Sequence, residues 1–363
     1  MTDEQYMKIA LGLASRGEGW TSPNPMVGAV IVRDGTILGK GYHRRFGGAH
    51  AEINAIDDAS GPIEGATIYV TLEPCSHHGK TPPCVDRIIE EEAARVVVGS
   101  IDPNPLVSGR GIRRLRDHGI EVKAGILERE CKALNEKFFT FMKTGMPFVT
   151  LKYAQTLDGR IASSTGHSRW ISSEPSLRFA HRLRGQHDAV LVGIGTVAAD
   201  DPDLRVRLVR GRNPLRVVID PSLRISPDAR VLDNQDAART LVAAGSPCEE
   251  GRLSALKKGG IEVAVIEKNG AGALDLKALL LELGRRQISS ILVEGGAGVI
   301  TSFVRAALFD RMIVITAPKI VGRGIEAIDD LGITRMDNSI NLRCERVFRK
   351  GKDVVMYMRK EVD

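Results

Sequence analysis

The stretch GAHAEINAI, residues 48–56, decides how the chain is read, together with TLEPCSHHGKTPPC, residues 71–84. A helix packed on a sheet has no need of a histidine and a glutamate two apart at its start. Nor does a buried core need two cysteines, each preceded by proline, close behind. His50, Cys75 and Cys84 are donor types that zinc favours. Three protein ligands leave the fourth tetrahedral position to water, which is the catalytic arrangement. Both cysteines are expected near helix starts, where unpaired backbone N–H groups stabilise thiolate. Glu52 stands where it can reach a zinc-bound water without ligating the metal. Such a water loses its proton near neutrality, and a glutamate can pass that proton to a ring nitrogen and departing ammonia. This is zinc deaminase logic. The H-x-E then P-C-x-x-C pattern is matched except in its last spacing, where eight residues separate the cysteines instead of two. A structural zinc with His77 or His78 as fourth ligand is the competing reading.

The whole chain sets the context. Its 363 residues exceed one ordinary core and suggest two or three domains. Hydrophobic content of 43% and charged content of 26% suit a globular enzyme. No apolar run approaches the roughly 18 residues of a membrane span, and MTDEQYMKIA lacks the order of an export signal. A cytoplasmic protein without membrane contact is expected. The five cysteines, at 75, 84, 131, 248 and 344, are too few and too scattered for a disulfide framework. Net charge is +6 from 51 basic and 45 acidic residues, with no basic–aromatic stripe. That disfavours nucleic acid as partner and suits a small phosphorylated substrate.

Residues 3–16 read as a helix with Asp3 as its cap. MVGAVIVRDG and TILGKGYHRR read as a hairpin, followed by the helix of His50 and Glu52. Three more strands alternate with helices, the last helix over 127–144. This α/β layered domain is expected to span residues 1–146, and Gly145 and Pro147 mark its end. Residues 147–363 read as a second, mixed α/β domain of nucleotide-binding style with an antiparallel C-terminal part. In it, VEGGAGVITS is either a phosphate-cradling loop or a plain turn. Arg184 and Arg207 are either ligands or surface ion pairs. Around the first constellation, Asn24, His43, His77, Lys80, Asp102 and Asn104 offer hydrogen-bonding groups in loops and at strand ends.

NPMVGAVIV, GAHAEINAI, TLEPCSHHGKTPPC and GSIDPNPLVSGRG resemble the deaminase half of the bifunctional riboflavin-biosynthesis deaminase–reductases. TLDGRIA, SRWISS, VGIGTVAADDPDL and LVEGGAGV resemble the reductase half. The resemblance covers nearly the whole chain. It implies a cytidine-deaminase-like three-layer domain followed by a dihydrofolate-reductase-like mixed-sheet domain, one Zn2+ per chain, NADPH, and a homo-oligomer. It implies that His50, Cys75 and Cys84 bind zinc and that Glu52 shuttles protons. Asn24, His43, His77, Lys80, Asp102 and Asn104 would hold a diaminopyrimidine carrying ribosylamino 5-phosphate. Ala154, Trp170, Thr196, Asp200 and the loop Gly295, Gly296, Ala297, Gly298, Val299, Ile300 would contact the cofactor. Ser168, Arg184, Leu204, Arg207 and Glu294 would contact the reductase substrate, the arginines at its phosphate. Lys152 and Asp200 are both candidates near the hydride-accepting carbon. Arg212, Arg224, Arg230 and Arg239 are candidates for the cofactor's 2′-phosphate. Arg205 departs from the family, which often has a small hydroxyl residue there.

Overall fold

Strand β1 (Gly28–Arg33) buries Ala29 and Ile31 in one cluster and Val30 and Val32 in another. Successive strand residues point to opposite faces, so both faces of this sheet need cover. Helix α1 (Asp3–Ala14) covers one through Tyr6, Met7, Ala10 and Leu13. Its cap is Thr2 rather than Asp3, because Thr2 and Gln5 satisfy each other's backbone N–H groups reciprocally. Asp3 instead pairs with Arg95. Helices α2 (Ala51–Asp57), α3 (Cys84–Glu90) and α4 (Arg110–Asp117) cover the other face with Ala55, Val85, Ile88 and Leu115. The remaining strands are β2 (Thr36–Tyr42), β3 (Thr67–Leu72), β4 (Arg95–Ser100) and β5 (Glu121–Ala124), in the order β2-β1-β3-β4-β5. β1 is antiparallel to β2 and β3, whereas β3, β4 and β5 run parallel. β3 and β4 therefore end at the same edge, which brings their following loops together.

These elements come from a computed structural model, which describes residues 1–77, 82–105, 107–270 and 272–361. The chain divides into two compact units, Met1–Gly145 and Met146–Asp363.

Two local features of the first unit bear on its site. α2 lies directly on β2. A Cβ at Gly41 would stand 2.3 Å from the Ala51 carbonyl oxygen, and one at Gly39 would stand 2.2 Å from that of Ala55. The expected single helix over 127–144 is two helices, α5 (Glu128–Leu134) and α6 (Glu136–Thr144). Asn135 separates them because its side chain pairs with the Met26 backbone, accepting from N and donating to O, each at 2.8 Å. Asn135→Ala would strand both Met26 groups and is expected to cost about 1–3 kcal/mol. Chemical denaturation of the full chain checks this, and an unshifted first transition would refute it.

The second unit is built on nine strands in the order β11-β10-β9-β8-β12-β6-β13-β16-β15. They are β6 (Phe148–Thr156), β8 (Ala189–Gly193), β9 (Leu215–Ile219), β10 (Thr240–Gly245), β11 (Glu262–Ile266), β12 (Ser290–Val293), β13 (Arg311–Ala317), β15 (Leu342–Lys350) and β16 (Asp353–Lys360). A separate ladder pairs β7 (Arg160–Ser163) with β14 (Gly324–Glu326). The big sheet is parallel from β11 to β13, and the last two strands are antiparallel. Parallel strands need helices on both faces. α10 (Leu276–Arg285) and α11 (Ala297–Arg305) pack one face through Leu279, Leu283, Ile300 and Phe303. On the other, α7 (Glu174–Gly185) contributes Phe179 and Leu183. α8 (Ile194–Asp200) and α9 (Glu250–Lys258) contribute Val197 and Leu256. β8 and β12 are neighbours whose chains continue to opposite sides, to β9 and to β13, which makes their carboxyl ends the switch point where such sheets bind ligands. Among the described residues, no helix is long and apolar enough to cross a membrane.

Candidate functional site

His50 is the N-cap residue of α2, in extended backbone just before the first turn. Cys84 is the first residue of α3, after Pro83. Cys75 lies in the loop beyond β3, not at a helix start as expected. Its sulfur is met instead by the Cys84 backbone N–H, at 3.3 Å. His50 Nδ1 stands 3.3 Å from Cys84 Sγ and 3.5 Å from Cys75 Sγ. Among the described residues, these three form one group able to hold a metal ion. Tetrahedral zinc, with bonds of about 2.0 Å to nitrogen and 2.3 Å to sulfur, holds its ligands roughly 3.5 Å apart. The donor set and spacing therefore fit zinc. His77 is exposed and is not part of the group, and His78 and Lys80 lie outside the described residues.

The electrostatics agree with a shared ligand centre. Cys75 is lowered to about 4, because Cys84 donates to it and His50 adds to the effect against the cost of burial. Cys84 is raised by its contact with Cys75, as burial also demands. His50 is raised by its contact with Cys75, against burial. Glu52 sits buried in the first turn of α2, and burial raises its carboxyl despite the neighbouring His50. A carboxyl held toward neutral pH is suited to take and give a proton.

Asn24 and His43 join this group. Asn24 Nδ2 donates to His43 Nε2 at 3.2 Å, and His43 Nδ1 donates to the Ala49 carbonyl at 3.0 Å. The His43 ring meets that of His50 edge-on, 5.4 Å between centroids. Burial lowers His43, which leaves it neutral. Asp102 and Asn104 lie in the loop after β4, where Asp102 Oδ1 accepts from Asn104 N at 2.8 Å. Burial raises Asp102 to about 6. Sequence reasoning missed Glu73. Its buried carboxylate accepts from Gly109 N at 2.9 Å, Gly111 N at 3.0 Å and Ile112 N at 3.2 Å, tying the post-β4 segment and the start of α4 to the Cys75 loop. A glutamate closing an otherwise apolar strand was the available signal.

In the second unit, Lys152 on β6, Arg184 on α7 and Glu294 after β12 converge. Arg184 Nη2 donates to Glu294 Oε2 at 2.7 Å. Burial would raise Glu294, but Arg184 and Lys152 outweigh it and hold the carboxyl at about 2. Burial lowers Lys152, against the pull of Glu294. His181, also missed from sequence, adjoins this cluster; burial and then Arg184 lower it to about 4.

Beyond the carboxyl ends of β8 and β12, Gly296 N donates to Thr196 Oγ1 at 2.9 Å, which joins the segments that follow these strands. A Cβ at Gly295 would lie 2.7 Å from Val299 Cβ, so the loop closes tightly onto α11. Ser168 Oγ donates to Asp200 Oδ1 at 3.4 Å, and Arg169 Nη2 to Asp200 O at 2.9 Å. Ala154 lies on β6, and Trp170 is exposed. Leu204 has φ 62° and its side chain is in the core, so only its backbone can meet a ligand. Of the four candidate arginines, Arg212 pairs with Asp188 and Arg239 with Glu262, both just before the strands begin. Arg224 follows the carboxyl end of β9, and Arg230 lies in a short turn of helix beyond it.

Two family models match: "Cytidine and deoxycytidylate deaminase zinc-binding region" over residues 1–100 and "RibD C-terminal domain" over residues 147–356. The riboflavin biosynthesis protein RibD of Aquifex aeolicus is 44% identical, covering 99% of this chain and 98% of its own. That of Escherichia coli is 40% identical, covering 99% of each. The Thermotoga maritima diaminohydroxyphosphoribosylaminopyrimidine deaminase/5-amino-6-(5-phosphoribosylamino)uracil reductase superposes with TM-score 0.87 at 40% identity, over 99% of this chain and 98% of that one. Acinetobacter baumannii RibD gives TM-score 0.90 at 35% identity over 99% of each. Likeness of this extent across both units places the chain in the RibD family of bifunctional deaminase–reductases of riboflavin biosynthesis.

Proposed function

We propose that the chain deaminates 2,5-diamino-6-(5-phosphoribosylamino)pyrimidin-4-one at a zinc site and then reduces the ribosyl group to ribityl phosphate with NADPH. The observation that carries the reading is the convergence of His50, Cys75 and Cys84 beside a buried Glu52. A bound zinc would supply water acidified toward neutrality. Glu52 relays two protons from water in turn at its carboxylate, one to the ring nitrogen and one to the departing amine. Asn24, His43, His77, Lys80, Asp102 and Asn104 orient the ring and the sugar phosphate.

In the second unit NADPH would supply the hydride. Thr196, Asp200, Ala154, Trp170 and residues 295–300 hold it, with the N-terminus of α11 toward its phosphates. Ser168, Arg184, Leu204, Arg207 and Glu294 hold the substrate. Of the two proton candidates we take Lys152 over Asp200: it is half-buried on β6, and burial lowers its ammonium against the pull of Glu294. Residues 1–146 and 147–363 divide the two reactions. The protein acts in the cytoplasm as a homo-oligomer on a small phosphorylated pyrimidine, not on nucleic acid.

Supplying that pyrimidine without and then with each cofactor tests the reading. Ammonia release is expected without cofactor, and NADPH oxidation only after deamination. NADPH is expected to outrun NADH by at least about tenfold, and by less at high salt, as Arg224 or Arg230 is screened from the 2′-phosphate. Equal rates with NADH reject the cofactor assignment, and oxidation without deamination rejects the order.

A further inference from the structure

One buried carboxylate in the second unit serves two arginines at once. Asp203 is 4% exposed. Arg205 grips it with both arms of its fork, Nε to Oδ1 at 2.5 Å and Nη2 to Oδ2 at 2.9 Å. Arg207 reaches the same Oδ2 from Nη1 at a looser 3.3 Å, with half of its side chain exposed. The Arg207 backbone is fixed separately, its N–H donating to His181 Nδ1 at 3.0 Å. Arg184 Nη1 donates to the Arg205 carbonyl at 3.4 Å, which links this triad to the Arg184–Glu294 pair.

The charges decide what this arrangement does. Asp233 also faces Arg205, and the buried Arg216 lies against the Asp203 and Asp233 carbonyls, so two carboxylates and three guanidiniums leave one positive charge over; the geometry leaves it on Arg207, whose hold on Asp203 is the loosest. A buried carboxylate cannot stand unpaired. Without Arg205, Asp203 would turn both oxygens to Arg207 and cancel it. We propose that Arg205 is a positioning residue: by saturating Asp203 it leaves Arg207 cationic toward the phosphate of the reductase substrate. This rests on the reading of Arg207 as a phosphate contact.

The test uses the full chain, with reductase KM and kcat measured at saturating NADPH and inorganic phosphate as a competing probe. Arg205→Met is expected to raise both the KM and the phosphate inhibition constant about fivefold, the scale of one partly exposed charge contact, with kcat changed less than about twofold. The double variant Asp203→Asn, Arg205→Met removes the competing carboxylate and is expected to return both constants to near the parent values. An unchanged KM in the single variant overturns the proposal. So does a double variant as weak as the single one, since Arg205 would then touch phosphate itself. Arg207→Ala tells the two readings apart: an unaltered KM there removes the phosphate contact itself, and the positioning role with it.

Discussion

Glu52→Gln is expected to lower ammonia release by at least about 10³-fold, within the range of general acid–base catalysis, while zinc stays near one per chain. Glutamine keeps the volume and the hydrogen-bonding oxygen but cannot hold a proton. It should also fold, because burial already pushes the native carboxyl toward its neutral form. Cys84→Ser should do the reverse and empty the site, since a thiolate is lost from three converging ligands. Metal analysis and ammonia assay on the same preparations separate the two roles. A Glu52→Gln protein that has lost its zinc would contradict the shuttle assignment.

Glu294→Ala is expected to abolish reduction and to destabilise the second unit by about 3–5 kcal/mol, the cost of breaking a buried ion pair. It leaves Arg184 and Lys152 facing each other without their carboxylate. That is a large part of an ordinary domain's stability of roughly 5–15 kcal/mol, so the second unit should melt first. Ammonia release should change less than about twofold, as expected if the reactions divide between the units. The same contact carries a pH signature. Glu294 is depressed to about 2 from an ordinary 4.5, so its contribution is complete above pH 4.5 and is lost as pH falls from there toward 2. Calorimetry of the variant checks both statements, and a second unit that melts as the parent does would refute them.

Some of this was readable from sequence because chemistry marks its residues. A His-x-Glu followed by two proline-preceded cysteines has little structural use, so His50, Glu52, Cys75 and Cys84 could be picked out at once. The apolar runs of β1 and of the second unit's strands announced sheets with covered faces. What escaped depended on partners far along the chain. Nothing within 127–144 marks a break, because the partner of Asn135 is Met26. Glu73 earns its role from amides on the far side of β4, and β14 exists only because β7 pairs with it. Asp203 and His181 looked like ordinary loop and helix residues until folding set them against Arg207.

The bare contact between α2 and β2 has a consequence of its own. With no side chain between the two backbones at Gly41, the distance from helix to sheet is a fixed mechanical stop. His50 rides on that helix end, and the loop of Cys75 is anchored to β3, two strands across the same sheet from β2. The reach from imidazole to sulfur is therefore gauged by the thickness of a hydrogen atom on a residue that touches neither. A methyl group at position 41 would act as a shim under the helix. Position 41 thus belongs to the tolerances of the metal centre, although it contributes no atom to it.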